Sequence, residues 1–408
     1  MQQPKIFKLI GPSAIISLSQ LFGTSLWFSA NSAADGLTQA WDATASDIGW
    51  LTSAVQAGFI LGTLAASLGG LADRYPASFI FVVSAIVGAS ANACFAWLAS
   101  GLGSGLAFRF LVGLSLAGIY PIGMKLIVSW EPERTGRALA LLVAMLTMGT
   151  ASPHLLQALG DVQQWQWIVT TSSLLALVAA VLVLALGDGP HLPIRPVKAG
   201  SIAGHGTAIL AAFRIPQFRA AAVGYFGHMW ELYAFWAITP LLVTATGLAE
   251  QYPRLGVPGL SFMIIASGAI GCLVGGWFAQ RIGNAPVALA ALVFSGTSAV
   301  VFAIFCQDLS GSVLLGLLLI WGATVVADSP QFSTLSIKAC PSHMVGGVLA
   351  VQNAIGFTLT VVSIGMTSYF FESMGPQTVW LLVPGPVVGF IGYRLTESRT
   401  SRSRRKVN

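Results

Sequence analysis

Gly69-Gly-Leu-Ala-Asp-Arg74 ends one long apolar stretch of this chain, and Gly275-Gly-Trp-Phe-Ala-Gln-Arg281 ends another about half the chain later. Nearly the same offset relates several further positions of the first half to positions of the second. These positions are Pro121, Pro132 and Gly136, which superimpose on Pro330, Pro341 and Gly346. The repetition indicates that the chain consists of two related halves.

The composition indicates that the surroundings are a lipid bilayer. Of the 408 residues, 55% are hydrophobic and only 8% are charged, against about 25% charged in soluble domains. Many apolar stretches reach the roughly 20 residues that a helix needs to cross the hydrocarbon layer. We predict twelve spans, at 10–33, 47–70, 77–99, 104–127, 136–158, 165–187, 219–246, 257–280, 285–306, 311–335, 346–370 and 377–395. The predicted fold class is an all-α, polytopic membrane protein.

The distribution of Lys and Arg predicts the orientation, because positively charged loops tend to stay cytoplasmic. Basic residues occupy every second connection: Lys5 and Lys8, Arg74, Arg134 and Arg137, Arg195 to Arg219, Arg281, Lys338, and Arg394 to Lys406. Both termini are therefore predicted to be cytoplasmic, in a plasma membrane and most plausibly a bacterial inner membrane. This bias and the basic tail account for the net charge of +6, so no nucleic-acid partner is implied.

The longest connection, rich in Pro and Gly, divides the chain into predicted domains. These are an N-terminal six-helix bundle at 1–187, a cytoplasmic linker at 188–217, a C-terminal bundle at 218–398 and a basic tail at 399–408. The linker includes a possible short surface helix near 207–213. The first span follows Lys5 and Lys8 as a signal peptide would, but its length and the six-span symmetry favour a retained helix. The positions of the four cysteines indicate no disulfide framework.

The twelve spans, the repeat, the central loop and the GxxxDR turn together make the chain similar to the major facilitator superfamily. The resemblance implies two six-helix bundles that rock against each other, with the turn as a cytoplasmic latch. The gating residues it implies are Gly69, Asp73 and Arg74, and Gly276, Gln280 and Arg281 in the second copy. Gln280 replaces the acid of the first copy, and Tyr75-Pro76 replaces the usual Gly, so the latch is expected to be asymmetric. Capping of helix ends is the alternative role for Asp73 and Arg74.

Four ionisable residues fall inside predicted spans: Arg109, His228, Glu231 and Asp328. Such groups cost about 2.5–3.5 kcal/mol each at mid-membrane, which makes them functional candidates. The resemblance implies that spans one, four, seven and ten line the central cavity, and these spans hold all four residues.

Helical spacing predicts shared faces in these spans, because residues 3, 4, 7 or 11 positions apart lie on one side of a helix. The predicted faces are Gln20, Thr24, Trp27 and Asn31; Arg109, Gly113 and Tyr120; His228, Glu231 and Phe235; and Trp321, Asp328 and Gln331. With Trp230, Tyr233 and Trp236, they predict an aromatic cavity that contains one cation and two carboxylates.

Each ionisable residue has alternatives. Arg109, in an RxxxG pattern like the superfamily's span-four motif, could bind an anion or influence proton transfer, hold helices in an ion pair, or extend toward the outer surface. Glu231, about 18 Å deep, could carry a proton or hold a helix contact, because desolvation there favours the neutral carboxyl. His228 could relay that proton or be a core residue. Asp328 could lie in the pathway or pair with Lys125 or Lys338.

We therefore expect a secondary transporter that imports a small polar or anionic organic solute by proton-coupled symport. The alternative is proton-coupled efflux of a hydrophobic or cationic compound, bound by Glu231 and Asp328. The sequence contains no HExxH, GxSxG or nucleotide-binding loop, so neither an enzyme, a cofactor nor a metal is expected. One chain supplies both bundles, which predicts a working monomer in the lipid bilayer.

Overall fold

The computed structural model describes residues 11–160, 164–191, 212–340 and 345–407. Outside the described part lie residues 207–211 of the possible surface helix, and also the side chains of Asp73 and of the tail at 398–407. In the first half the helices are α1 (Pro12–Thr24), α2 (Ser29–Ser32), α3 (Ala34–Trp41), α4 (Ala45–Leu68), α5 (Leu71–Arg74), α6 (Ala77–Leu98), α7 (Leu102–Leu116), α8 (Tyr120–Trp130), α9 (Thr135–Leu159) and α10 (Trp165–Leu186), with a 3₁₀ turn at Pro132–Arg134.

The second half has a similar series. Its helices are α11 (Pro216–Ala245), α12 (Leu248–Gln251), α13 (Gly256–Ile282), α14 (Asn284–Phe305), α15 (Gly311–Ala327), α16 (Ser329–Ala339), α17 (Val345–Met374) and α18 (Pro384–Val407), with a 3₁₀ helix at Gly375–Leu381 before α18. The all-α prediction is confirmed, and each of the twelve predicted spans contains helix.

Nine helical stretches of the described chain are long and apolar enough to cross a membrane, and the last of them, Val348–Glu397, runs through both α17 and α18. The short α1 and the polar α11 are not among the nine. Large apolar side chains such as Val181, Leu184 and Ile270 are 63–69% exposed, as expected of a surface that faces lipid. The chain is therefore a multi-pass membrane protein, while the number of twelve crossings stays a prediction.

Predicted spans four and ten are each interrupted at the same relative position. Residues 117–119 separate α7 from α8, and Asp328 separates α15 from α16. Pro121 and Pro330 each occupy the second position of the following helix, where a missing N–H leaves no hydrogen bond unmade.

These two breaks divide two of the predicted faces, and the turn at residues 25–28 in span one divides a third. Arg109 lies on α7 and Tyr120 on α8; Trp321 lies on α15 and Gln331 on α16. Gln20, on α1, is likewise separated from Asn31, on α2. The spacing argument assumed uninterrupted helices, so it could not place these residues on one side.

The two halves meet along two helix pairs. Helix α4 packs on α17, and α9 packs on α13. A Cβ atom placed on Gly276 would lie 2.9 Å from the Cβ atom of Ala140, so this glycine of the second gating copy is a close-packing position between α13 and α9. Small residues allow this approach.

Candidate transport pathway

A cavity of about 70 Å³ lies between the two halves. The first half contributes Tyr120, Met124, Leu139, Val143 and Leu146; the second contributes Tyr225, Met229, Leu232, Tyr233, Trp236, Val326, Ser329, Pro330, Ser333, Ile337, Leu349, Asn353 and Phe357. Exposure rises toward the face that is predicted to be cytoplasmic: Ile337 there is 36% exposed, whereas Trp236 at the other end is fully buried. The cavity therefore opens toward that face.

An aromatic cluster closes the opposite end of the cavity. We define it as Trp27, Phe28, Phe59, Tyr233, Trp236 and Phe357. The ring of Trp27 lies 5.1 Å from that of Phe59 and 5.5 Å from that of Tyr233, and the rings of Phe59 and Phe357 are 4.4 Å apart. Tyr233 also contacts Trp236 at 5.2 Å. Rings at these separations attract one another beyond their burial, so the cluster holds the two halves together at the closed end.

His228 and Asp328 form a buried pair in the second half. The Nδ1 atom of His228 lies 2.7 Å from the Oδ1 atom of Asp328, and both side chains are at most 1% exposed. Asp328 stands at the break between α15 and α16, directly before Ser329 and Pro330, which line the cavity. Of the two lysines considered as partners, Lys338 instead donates to Oδ1 of Asn284 at 3.0 Å. The pair therefore adjoins the cavity wall.

Glu231 lies one helical turn beyond His228 and is held by two donors. Trp321 Nε1 donates to its Oε1 atom at 2.8 Å, and Ser295 Oγ donates to its Oε2 atom at 2.9 Å. Phe235 stacks on the Trp321 ring at 4.2 Å. The structure thus brings His228, Glu231 and Phe235 to one side of α11. Glu231 faces α14 and α15 and is not among the residues that line the cavity.

Arg109 is fully buried and points into the first half. Its Nη1 atom donates to Leu26 O at 3.1 Å, Ser29 Oγ at 3.1 Å and Asn92 Oδ1 at 2.8 Å, and its Nη2 atom donates to Trp27 O. All of these acceptors are neutral. Arg109 therefore fastens the segment between α1 and α2 to α6 and α7, and its charge meets no carboxylate among the hydrogen-bond partners that the structure describes.

The remaining predicted pathway residues lie at different depths. Gln20 is fully buried and adjoins Gly123 of α8. Asn31 accepts from Thr52 Oγ1 at 3.0 Å, and Gln331 accepts from Asn284 Nδ2 at 2.7 Å. Trp230 donates to Leu381 O at 2.8 Å, which turns its ring toward the α18 end and away from the cavity. Tyr120, Tyr233 and Trp236 are the predicted residues that line the cavity.

The two copies of the gating turn have different surroundings. Gly70 has a φ of 61°, a left-handed conformation that glycine adopts without strain, and Arg74 beyond it is exposed. In the second copy Gln280 is exposed, and the guanidinium of Arg281 lies 3.5 Å from the ring centroid of Trp277. A cation–π contact thus holds the second arginine. Latching by these residues stays a prediction.

Sequence reasoning missed several residues of this region. Phe59 on α4 and Phe357 on α17 belong to the aromatic cluster, and Ser329, Ser333 and Asn353 give the cavity wall its polar groups. The predicted pathway residues all belong to spans one, four, seven and ten. The contact between α4 and α17 brings two further helices to the cavity, and no spacing within one helix signals that contact.

Comparisons with known proteins agree on the family. The sequence profile of the Major Facilitator Superfamily matches residues 16–366. A 3-(3-hydroxyphenyl)propionate transporter of Escherichia coli K12 is 26% identical over 397 residues, 91% of this chain and 90% of that protein. A niacin transporter of Acinetobacter baylyi is 34% identical over 114 residues, 28% of this chain and only 25% of that protein.

A third relative is the 4-hydroxybenzoate transporter PcaK of Pseudomonas aeruginosa, 29% identical over 157 residues, 37% of this chain and 34% of that protein. Among solved structures, the nucleoside transporter NupG (D323A mutant) superimposes with a TM-score of 0.69 at 12% identity, covering 95% of this chain and 99% of that one. At that identity the likeness shows the fold. The family match, the fold and the buried pathway between two halves identify the chain as a solute transporter of the Major Facilitator Superfamily, and not an enzyme.

Proposed function

We propose that this transporter imports a small aromatic acid by proton-coupled symport. The observation that carries the proposal is the cavity itself. Its walls combine the rings of Tyr120, Tyr233 and Phe357 with the polar side chains of Ser333 and Asn353. Such a lining suits a flat apolar ring that bears polar groups.

The relatives support the same class of solute. Niacin, 4-hydroxybenzoate and 3-(3-hydroxyphenyl)propionate, named for three of them, each join an aromatic ring to a carboxyl group. Their transporters differ in how much of this chain they match, so the shared chemistry of the solutes, and no single one of them, is what we carry over.

Proton coupling is assigned to Asp328 with His228, and to Glu231. These groups are buried on the second-half side of the cavity, where a carboxylate is expensive unless it is paired or protonated. Hydration of the adjoining wall would let Asp328 release a proton, and loss of that water would favour its return. Glu231, held by Trp321 and Ser295, is the second candidate carrier.

The test is uptake into proteoliposomes of radiolabelled nicotinate, 4-hydroxybenzoate and 3-(3-hydroxyphenyl)propionate. An inward proton gradient should drive concentrative uptake of at least one acid. Asp328→Asn should abolish this accumulation and keep counterflow, the exchange of labelled for unlabelled solute that needs no net proton movement. Uptake of the transported acid that ignores the pH gradient would contradict coupling, and no uptake of any aromatic acid would contradict the solute class.

Efflux of a cationic compound is a second candidate, and one observation favours it. Arg109 turns away from the cavity, whereas the carboxylate of Asp328 adjoins its wall. A cation bound in the cavity would therefore lie near the carboxylate of Asp328. Deletion of the gene should raise sensitivity to cationic drugs under this hypothesis, whereas an importer's deletion should impair growth on an aromatic acid.

A further inference from the structure

In the described part of the chain, Trp236 of the second half has an indole N–H without an acceptor, and three buried neutral side chains of the first half near the aromatic cluster also have N–H groups without an acceptor. These three are Trp27, Asn31 and Gln56, which are 0%, 4% and 0% exposed. The Nε1 atom of Trp27, the Nδ2 atom of Asn31 and both amide atoms of Gln56 make no hydrogen bond with the residues that the structure describes. Since an indole carries one N–H and each amide two, donors outnumber the single free oxygen.

The three side chains come from the turn between α1 and α2 (Trp27), from α2 (Asn31) and from α4 (Gln56). Thr52 of α4 donates to Asn31 of α2 at 3.0 Å. Two turns farther along α4, the ring of Phe59 lies 5.1 Å from the ring of Trp27. Gln56 lies between these contacts, four residues after Thr52 and three before Phe59. Residues at such spacing share one face of a helix, so Gln56 lies on the face of α4 that contacts Asn31 and Trp27.

Leaving these donors unmatched is unfavourable. An unsatisfied buried polar group costs about 1–3 kcal/mol, and most such groups in proteins find a partner. A group of donors in one place is suited to an acceptor with several lone pairs, as a carboxylate has. The free donors therefore indicate what kind of ligand group would stabilise this region.

The charge of Arg109 adds to this preference. Its guanidinium donates to the backbone carbonyl groups of Leu26 and Trp27, directly behind the Trp27 side chain. All acceptors described for it are neutral, so its positive charge acts on the surroundings with little compensation. In a poorly hydrated interior such a charge is weakly screened. It favours an anion at the neighbouring donors without touching it.

We propose that Trp27, Asn31 and Gln56 bind the carboxylate of the transported solute, a subsite that rests on the proposed function. The solute's ring would replace ring contacts of the aromatic cluster, and its carboxylate would accept hydrogen bonds from the three side chains. Recognition of the acid therefore belongs to the first half, and proton handling to the second. A solute whose carboxylate lies in this subsite and whose ring lies against Tyr233, 5.5 Å from the Trp27 ring, would contact both halves.

The test uses the purified full chain, with binding of benzoate and of benzamide measured by calorimetry at pH 7.5. Trp27→Phe keeps an aromatic ring at this position and removes the indole N–H. Gln56→Met keeps the length of the side chain and removes the amide. The matched control is Gln352→Met, because Gln352 is a buried glutamine on α17 whose oxygen has no partner among the described residues and which is not part of the proposed subsite. Melting temperatures verify that each variant is folded.

Each of the first two variants should raise the Kd of benzoate by about 10-fold or more, as loss of a hydrogen bond to a charged group implies. For benzamide, a neutral acceptor, the Kd should rise about threefold or less in these two variants. The control should bind both compounds with the affinity of the wild type. Should Gln56→Met fail to fold, Trp27→Phe decides.

Wild-type binding of benzoate that both variants retain would overturn the subsite alone. Equal losses for benzoate and benzamide would also overturn it, since they would indicate a disturbed cavity. A wild type that neither binds benzoate nor transports any of the three named aromatic acids would overturn the proposed function, and the subsite with it.

Discussion

The Nδ1 atom of His228 lies 2.7 Å from the Oδ1 atom of Asp328, where neither side chain reaches solvent. Removing one member of such a pair leaves a buried group without its partner, which costs about 3–5 kcal/mol when the group is charged. We expect His228→Leu to lower the melting temperature of the purified protein clearly. Adding Asp328→Asn to that variant should restore part of the loss. Strictly additive effects of the two substitutions would contradict an energetic coupling between them.

Glu231 is expected to tolerate Gln and not Ala. Its oxygens accept from Trp321 and Ser295. An amide keeps one acceptor, whereas Ala leaves the buried Trp321 N–H unmatched, at about 1–3 kcal/mol, and leaves the Ser295 hydroxyl only its longer contact with Leu292 O at 3.3 Å. Thermal unfolding should therefore place Glu231→Gln near the wild type and Glu231→Ala well below it. Gradient-driven uptake should fall in both, and normal concentrative uptake by Glu231→Gln would remove Glu231 from the coupling mechanism.

Arg109 should matter for stability more than an exposed arginine does. Arg109→Ala removes the four hydrogen bonds that the guanidinium donates, and Arg109→Lys cannot reach all four acceptors because an ammonium lacks the planar fork. We expect a marked loss of folded protein for Ala and a smaller one for Lys. The matched control is Arg281→Ala, where the guanidinium is exposed and rests on Trp277, and where the melting temperature should change little. Equal effects at both positions would contradict the structural role.

Two glycines of α7 should respond oppositely to Ala. A Cβ atom on Gly113 would overlap the carbonyl oxygen of Val55 on α4, whereas one on Gly103 meets nothing within 4 Å. We expect Gly113→Ala to reduce expression and thermal stability, because the helices must move apart. Gly103→Ala should be neutral or slightly stabilising, since Ala favours the helix. A neutral Gly113→Ala variant would contradict the close approach of α4 and α7.

The direction of the cavity can be measured with cysteines. In a background without Cys94, Cys272, Cys306 and Cys340, a membrane-impermeant maleimide should label Ser333→Cys in inside-out vesicles and not in intact cells. Ser310→Cys, between α14 and α15 on the opposite face, should show the reverse. Labelling of Ser333→Cys from outside the cell would contradict the predicted orientation or the closed end of the cavity.

Much of the fold could be predicted from the sequence because lipid imposes long apolar helices. The positions of ionisable groups within those helices also followed, and His228 and Glu231 lie on one side of α11 as their spacing implies. The directions of side chains beyond a helix break could not be predicted from the sequence. Pro121 and Pro330 begin new helices, and the turn between α1 and α2 lets Arg109 reach the carbonyl groups of Leu26 and Trp27.

The hydrogen-bond partners that other helices supply also could not be predicted from the sequence. Nothing around Glu231 in the sequence indicates that Trp321 and Ser295 would hold it, because those contacts depend on how α11, α14 and α15 pack. The same holds for Gln56, because the sequence does not indicate that its amide lacks hydrogen-bond partners among the described residues.

The aromatic cluster also has a consequence for the membrane's energy supply. Protons move readily along chains of water molecules, and the closed end of this pathway is packed with rings whose edges and faces leave Trp27, Phe28, Phe59 and Trp236 fully buried. No continuous water chain can form through such a barrier while the rings remain in contact. Without solute, the transporter would therefore not let protons leak across the membrane and dissipate the gradient that is proposed to drive it.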